Sequence, residues 1–261
     1  MRLQQFLAQA GFGSRRKCED LIFSKKVEVN GAAAFLGQKV NPDSDQIEVY
    51  GVLVKQRAEQ YWLLYKPKGI LSTVSDPHGG RTILDLIKIK DRVFPVGRLD
   101  KDSEGLMFLT NNGDLAYHLT HPKFQIEKIY EVLVDGIPSE KILKKISGGM
   151  VLEDGLTAPC KIKIIKKLPG KTILEIKLHE GKKREIRRMM KAAGYCVLNL
   201  KRTAIGPLNL LTLKPGKSRS LTKEEIQDLK NYVHNNSRKP FKASSGKTGK
   251  RKSRWLSGYP I

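Results

Sequence analysis

Between Val96 and Gly113 the chain reads Val-Gly-Arg-Leu-Asp-Lys-Asp-Ser-Glu-Gly-Leu-Met-Phe-Leu-Thr-Asn-Asn-Gly: a strand end, a crowded polar loop, a strongly apolar strand and a turn. No other stretch limits the fold as much. A sheet must receive the apolar strand, and the loop leading into it carries Asp100, Asp102 and Glu104 beside Arg98 and Lys101. Carboxylates this close together serve as an acid/base pair or as metal ligands. They also build plain surface turns, in which Asp and Ser bond their own backbone. Spacing alone favours the turn.

Charge narrows the partner. The chain carries 49 Lys and Arg against 26 Asp and Glu, a formal net of +23, so it attracts polyanions, nucleic acid first and an anionic membrane second. The excess is uneven. Residues 1–50 hold seven basic and six acidic side chains, whereas 161–202 hold fourteen and three, and 235–261 hold eight and none. The basic charge is thus concentrated late in the main body and in the tail. There is no apolar run of membrane-spanning length, and the start shows no signal-peptide pattern. Cys18, Cys160 and Cys196 form no CxxC pair and no zinc pattern, which suits a reducing cytoplasm.

The first fifty residues read as two helices followed by strands. Leu3, Phe6, Leu7 and Ala10 fall at helical spacing, and Gly11 and Gly13 end that helix. Ser14 can cap a second helix to about Ser24, with Cys18, Leu21 and Ile22 inward. Strands follow at 26–29 and 45–49, the first closed by the hairpin signal Asn30-Gly31. Residues 52–60 read as a linker. From Tyr61 strands dominate, with alternation over 130–134, 160–164 and 172–178 and helices near 139–147 and 185–193. A capping box at Thr222–Glu225 opens a last helix to about Val233. Strands mixed irregularly with helices predict an α+β fold: a small αβ unit over 1–51, then a larger, mainly antiparallel domain over 61–234. The tail 235–261 has too few apolar residues to pack and is expected to be disordered, with Trp255 and Tyr259 able to stack on bases.

On the helix near 185, cations recur at Arg184, Arg187, Arg188 and Lys191, while Ile186, Met189, Met190 and Ala193 fill another face. One face therefore buries and the other meets solvent or a polyanion. Tyr130 on its alternating strand reads as core. His118 and His121 read as ordinary residues near a helix end, because no third ligand is spaced to join them.

Two resemblances sharpen this picture. Ser-Arg-Arg-Lys-Cys-Glu-Asp-Leu-Ile-Phe-Ser-Lys-Lys-Val-Glu-Val-Asn-Gly, residues 14–31, resembles the S4 RNA-binding domain. That likeness implies RNA contacts from Arg15, Arg16, Lys17, Lys25 and Lys26. Gly97–Gly113 is similar to the catalytic signature of bacterial ribosomal RNA pseudouridine synthases of the RsuA/RluB family. Three more segments agree in order: Lys66-Pro67-Lys68-Gly69, Lys128-Ile129-Tyr130, and Gly181 through Met189 with its Glu185-Ile186-Arg187.

The resemblance implies conversion of a uridine to pseudouridine, with no cofactor and no metal. Asp100 would be the essential carboxylate, and Tyr130 would pack on the target base and take the last proton. Arg187 would pair with Asp100. Arg98, Lys128, Arg184, Arg188 and Lys191 would meet RNA, while Asp102 and Glu104 would shape the loop. The basic tail and Arg187 look more like the branch that acts on large-subunit RNA. A monomer with no obligate protein partner is expected. Ser103 stands where Thr is usual, Asn112 where Asp is frequent, and Lys182-Lys183 where Arg-Asn is more usual. The alternative is a non-catalytic ribosome-binding or assembly factor built on the S4-like unit.

Overall fold

The computed structural model describes residues 1–89 and 91–238. Trp255 and Tyr259, with their rings able to stack, and the rest of 239–261 lie outside the described residues. The segment 235–237, assigned to the tail from sequence, belongs instead to the last helix.

The first unit is built as its patterning requires. Helices α1 (Leu3–Gln9) and α2 (Arg15–Phe23) pack on strands β1 (Val27–Val29), β2 (Ala32–Ala33), β3 (Ile47–Val49) and β4 (Val52–Leu53), in the order β2-β1-β3-β4. Leu3, Phe6, Leu7, Cys18 and Ile22 meet Val27, Val29, Ile47 and Val49 in one core. Ser14 Oγ accepts from the Lys17 amide at 3.2 Å, the N-cap its position predicts. Asn30 and Gly31 take φ of 54° and 78°, the pair of left-handed residues that a two-residue hairpin turn needs. Two details differ from expectation. Leu21 is only half-buried, and Val52–Leu53, expected as linker, pairs with β3.

The second unit is a nine-stranded sheet ordered β11-β12-β8-β13-β7-β5-β15, with β6 beside β7 and β14 beside β13. Its strands are β5 (Tyr61–Lys66), β6 (Phe94–Val96), β7 (Glu104–Thr110), β8 (Lys128–Asp135), β11 (Lys161–Leu168), β12 (Lys171–Leu178), β13 (Val197–Ile205), β14 (Leu208–Asn209) and β15 (Ser218–Ser220). A two-stranded hairpin, β9 (Val151–Leu152) with β10 (Gly155–Leu156), stands apart. Every pairing is antiparallel except β13 with β7.

Helices α4 (Glu140–Ser147) and α5 (Glu185–Ala192) cover one face of the sheet, and α3 (Gly113–Thr120) and α6 (Lys223–Ser237) cover the other. Strands β5 and β7 lie where both faces are covered. Leu106 and Phe108 enter one core, Met107 and Leu109 the other, which is why this run is apolar without alternation. Strands β8 and β12 bury one face only, and they alternate: Tyr130, Val132 and Val134 point inward, as do Thr172, Leu174, Ile176 and Leu178.

The two units touch through side chains. Gln5 Nε2 donates to Asp114 Oδ1 at 2.9 Å, Arg92 donates to the Gly13 carbonyl, and Arg57 pairs with Asp91 at 3.2 Å.

Candidate active site

The loop between β6 and β7 carries Asp100 at the mouth of a cavity of about 480 Å³. Glu104, expected in this loop, is instead the first residue of β7, where it accepts from the Tyr65 hydroxyl at 3.0 Å and from Asn199 Nδ2 at 2.9 Å.

The loop is held from three sides. Ser72 Oγ donates to the Leu99 carbonyl at 2.7 Å and accepts from its amide at 3.0 Å. Lys66 is fully buried, and its Nζ donates to the Ser103 carbonyl at 2.6 Å and the Pro67 carbonyl at 3.1 Å. From the third side comes α5. Arg187 donates to the Asp102 carbonyl at 3.1 Å and to the Val197 carbonyl at 3.1 Å. The Asp100 carbonyl also accepts from the Ser103 amide at 3.1 Å, so its position is fixed through backbone and its carboxylate is left for chemistry.

Lys66 is an ammonium in a place with almost no water. Burial pulls its pKa from 10.5 down to about 8, against the pull of Asp100 and Asp102, which favour the charge. Between about pH 8 and 10.5 the unfolded chain therefore holds more protons than the folded one, and this group adds stability as pH rises through that window. The contribution is lost as pH falls through about 8. Relative to Lys66→Met, the wild-type protein should gain stability when the pH is raised from about 7.5 to about 10. Urea midpoints of both proteins across that range test this. A gap that stays constant with pH would remove Lys66 as the titrating group.

The cations sort differently from what the resemblance implies. Arg187 does not pair with Asp100. Its Nη2 lies 3.4 Å from Asp102 Oδ2, and among the described residues the cation paired with Asp100 is Arg184, with Nη1 3.8 Å from Oδ2. Arg184 also grips both Asp102 oxygens at 3.0 and 2.9 Å, which holds that carboxyl below its usual range. The cause is backbone geometry. Arg184 precedes α5 with φ of 52°, so its side chain leaves the helix's periodicity and swings across to the loop.

Tyr130 is buried and lines the cavity with Asp100, Arg98 and Arg184. Lys128 does not line it. Two residues from Tyr130 on the same strand face, it turns into the interior, donates to the Ile126 carbonyl at 3.4 Å, and is pulled down to about 8 by burial and by Arg202. Arg188 makes two hydrogen bonds to Asp154, at 2.7 and 2.9 Å, tying α5 to the β9–β10 turn. Lys191 is exposed, and so are Arg15, Arg16, Lys17, Lys25 and Lys26 on α2 and just after it. Among the described residues no group of three His, Cys, Asp or Glu is placed to hold a metal ion. No helix there is long and apolar enough to cross a membrane.

Sequence reasoning passed over three buried ionisable groups beneath this site. Lys66 counted only as part of a turn. Arg202, 2 % exposed, donates from Nε to the Leu106 carbonyl at 2.8 Å and fixes β13 to β7. Glu185 is buried, and desolvation, reinforced by the neighbouring Glu180, raises its carboxyl well above the usual range. Lys66 and Glu185 had a signal, since each stands inside one of the matching motifs, whereas Arg202 had none.

Comparison with known proteins places the chain among relatives. A family model described as RNA pseudouridylate synthase matches residues 60–192, and an S4 domain model matches residues 1–47. The chain is 45 % identical to the ribosomal large subunit pseudouridine synthase B of Bacillus subtilis, over 88 % of this chain and 95 % of that one. It is 45 % identical to an uncharacterized RNA pseudouridine synthase of Aquifex aeolicus, over 88 % and 93 %. A crystal structure of a pseudouridylate synthase superposes with a TM-score of 0.63 at 28 % identity, covering 88 % of this chain and 99 % of the other.

Proposed function

Because the chain belongs to the RNA pseudouridylate synthase family and begins with an S4 domain, we propose that it isomerises a uridine of large-subunit ribosomal RNA, with Asp100 acting at the sugar. The observation that carries this reading is the cavity itself. It sets the Asp100 carboxylate, whose backbone is fixed by neighbours, beside one buried aromatic ring, with Arg98, Lys183 and Arg184 in the same lining.

The chemistry asks for these groups. The bond between C1′ and N1 breaks, the base turns, and C1′ bonds to C5. The C5 proton is lost and N1 gains one, so atoms and charge balance with no reductant or energy source. A carboxylate at the sugar assists departure of the uracil, and the Arg184 guanidinium lies 3.8 Å from the Asp100 carboxylate. Taking the base out of its stack costs about a few kcal/mol. Stacking on Tyr130 returns about 1–3 kcal/mol, and its phenolic oxygen accepts the C5 proton as its own hydroxyl proton passes to water. Arg187 serves the reaction by holding the loop backbone. The S4 domain presents Arg15, Arg16, Lys17, Lys25 and Lys26 to the flanking RNA. The enzyme works as a cytoplasmic monomer without a cofactor.

The large-subunit assignment follows the Bacillus subtilis relative, whose name specifies that RNA. Mapping pseudouridines in both ribosomal RNAs, from cells with and without the gene, tests it. Loss of one large-subunit site is expected, restored by the wild-type chain. A lost small-subunit site would move the substrate. No lost site, with tight and salt-sensitive RNA binding retained, would favour the assembly-factor reading.

A further inference from the structure

The Asp100 cavity does not end at its mouth. Through Arg98, Asp100 and Arg184 it opens into a cleft of about 930 Å³. That cleft shares Ser72, Thr73 and Arg98 with a third groove of about 520 Å³. The third groove runs between the two domains, with Arg15 of α2 on one side and Tyr117 of α3 on the other.

Charge, ring geometry and the fixed spacing of the domains all point to what this groove holds. Its charged lining is Arg15 and Arg98, with no carboxylate. Among the described residues neither guanidinium makes a hydrogen bond or an ion pair, whereas Arg57, Arg184, Arg187, Arg188 and Arg219 each meet an acid. The groove therefore keeps two unneutralised cations facing the path to Asp100.

Tyr117 is 45 % exposed, yet its ring is held in place. His121 lies 5.0 Å from it centroid to centroid, Phe124 meets it edge-on at 5.6 Å, and Lys123 Nζ sits 5.2 Å from its centre. A ring fixed by its neighbours and still half in water can accept a stacked base with little ordering cost. The domain contacts at Gln5–Asp114 and Arg92–Gly13 hold α2 against this surface, close enough that a Cβ on Gly113 would come within 2.9 Å of Arg15 Nη2.

We propose that this interdomain groove binds the single-stranded RNA next to the target uridine, stacking one base on Tyr117 and placing its phosphates against Arg15 and Arg98. The assignment rests on the RNA reading above and adds where the neighbouring nucleotides run. The substrate strand passes from Asp100, along the loop at Ser72 and Thr73, to the S4 domain. Tyr117 then sets substrate position and contributes nothing to the bond-making steps.

The test uses the full chain and large-subunit ribosomal RNA transcribed with uridine tritiated at C5, which releases tritium as pseudouridine forms. Tyr117→Ala is expected to raise KM about 5- to 150-fold, the equivalent of one stacked base, with kcat within about twofold. Tyr117→Phe, which keeps the ring, should stay within about threefold of wild type. A second arm replaces Tyr117 with p-benzoylphenylalanine and maps its photo-crosslink on the same RNA and on intact subunits. A crosslink within a few nucleotides of the modified uridine supports the groove. A remote crosslink, a crosslink to protein alone, or an unchanged KM in Tyr117→Ala overturns it. If the wild-type chain releases no tritium at all, it is the functional reading that fails, whereas an active wild type with a normal Tyr117→Ala fails the groove alone.

Discussion

Asp100→Asn is expected to abolish pseudouridine formation, by at least about a thousandfold in kcat, while leaving RNA affinity within about twofold. The substitution keeps the shape of the side chain and removes its charge. Its structural consequence is small, because the Asp100 carboxylate is held through backbone: Ser72 clamps Leu99, Lys66 clamps Ser103, and Arg187 clamps the Asp102 carbonyl. The only ion pair it forms among the described residues is the 3.8 Å contact with Arg184, which stays anchored on Asp102. Loss of activity in this variant therefore reports chemistry rather than collapse. Tritium release measures turnover, and filter binding on the same transcript measures affinity. Activity within tenfold of wild type would end the assignment of Asp100.

Gly105→Ala is expected to cost about 4 kcal/mol or more, enough to leave little folded protein at moderate urea. Gly105 sits where β7 runs parallel to β13, opposite Arg202. A Cβ there would lie 2.3 Å from the Arg202 carbonyl oxygen and 2.5 Å from its amide nitrogen, and φ is +117°. Both obstacles are backbone, so no side chain can rotate away. The strands would have to part, and the Arg202 bond to the Leu106 carbonyl would go with them. Gly31→Ala is a useful control. Gly31 has φ of +78° with nothing within 4 Å, so only the conformational cost of about 1 kcal/mol applies. Urea denaturation of both variants separates steric from conformational cost. A Gly105→Ala protein within about 1 kcal/mol of wild type would show that β7 and β13 can separate without penalty.

Legibility followed range. Features within one turn or one hairpin could be read directly: the Ser14 cap, the Asn30-Gly31 turn, and the capping box in which the Glu225 amide meets Thr222 Oγ at 3.2 Å. The apolar run before Thr110 announced a central strand, and so the carboxylate loop was located correctly between strands. Helical periodicity also gave the buried face of α5, where Ile186, Met189 and Met190 are packed. It failed at the residue just before that helix. Arg184 is left-handed, outside the 3.6-residue repeat, and a repeat carries no information about a residue beyond its end. The resemblance gave Arg187 the partner that Arg184 has, and nothing in the repeat could correct it.

The sequence, through its motifs, named residues that line the cavity: Asp100 on its loop, Tyr130 on its strand and Arg184 just before α5. Tertiary structure decided how they are wired. Arg187 meets the loop across 85 positions of chain and Arg202 meets Leu106 across 96. Such contacts follow from β13 lying parallel to β7, a strand order that no local pattern encodes. Burial of Lys66 has the same origin, since residues 37 positions away supply the carbonyl that satisfies its ammonium. Local spacing reports the free energy of turns and faces, whereas the pairing of buried charges depends on which strands become neighbours.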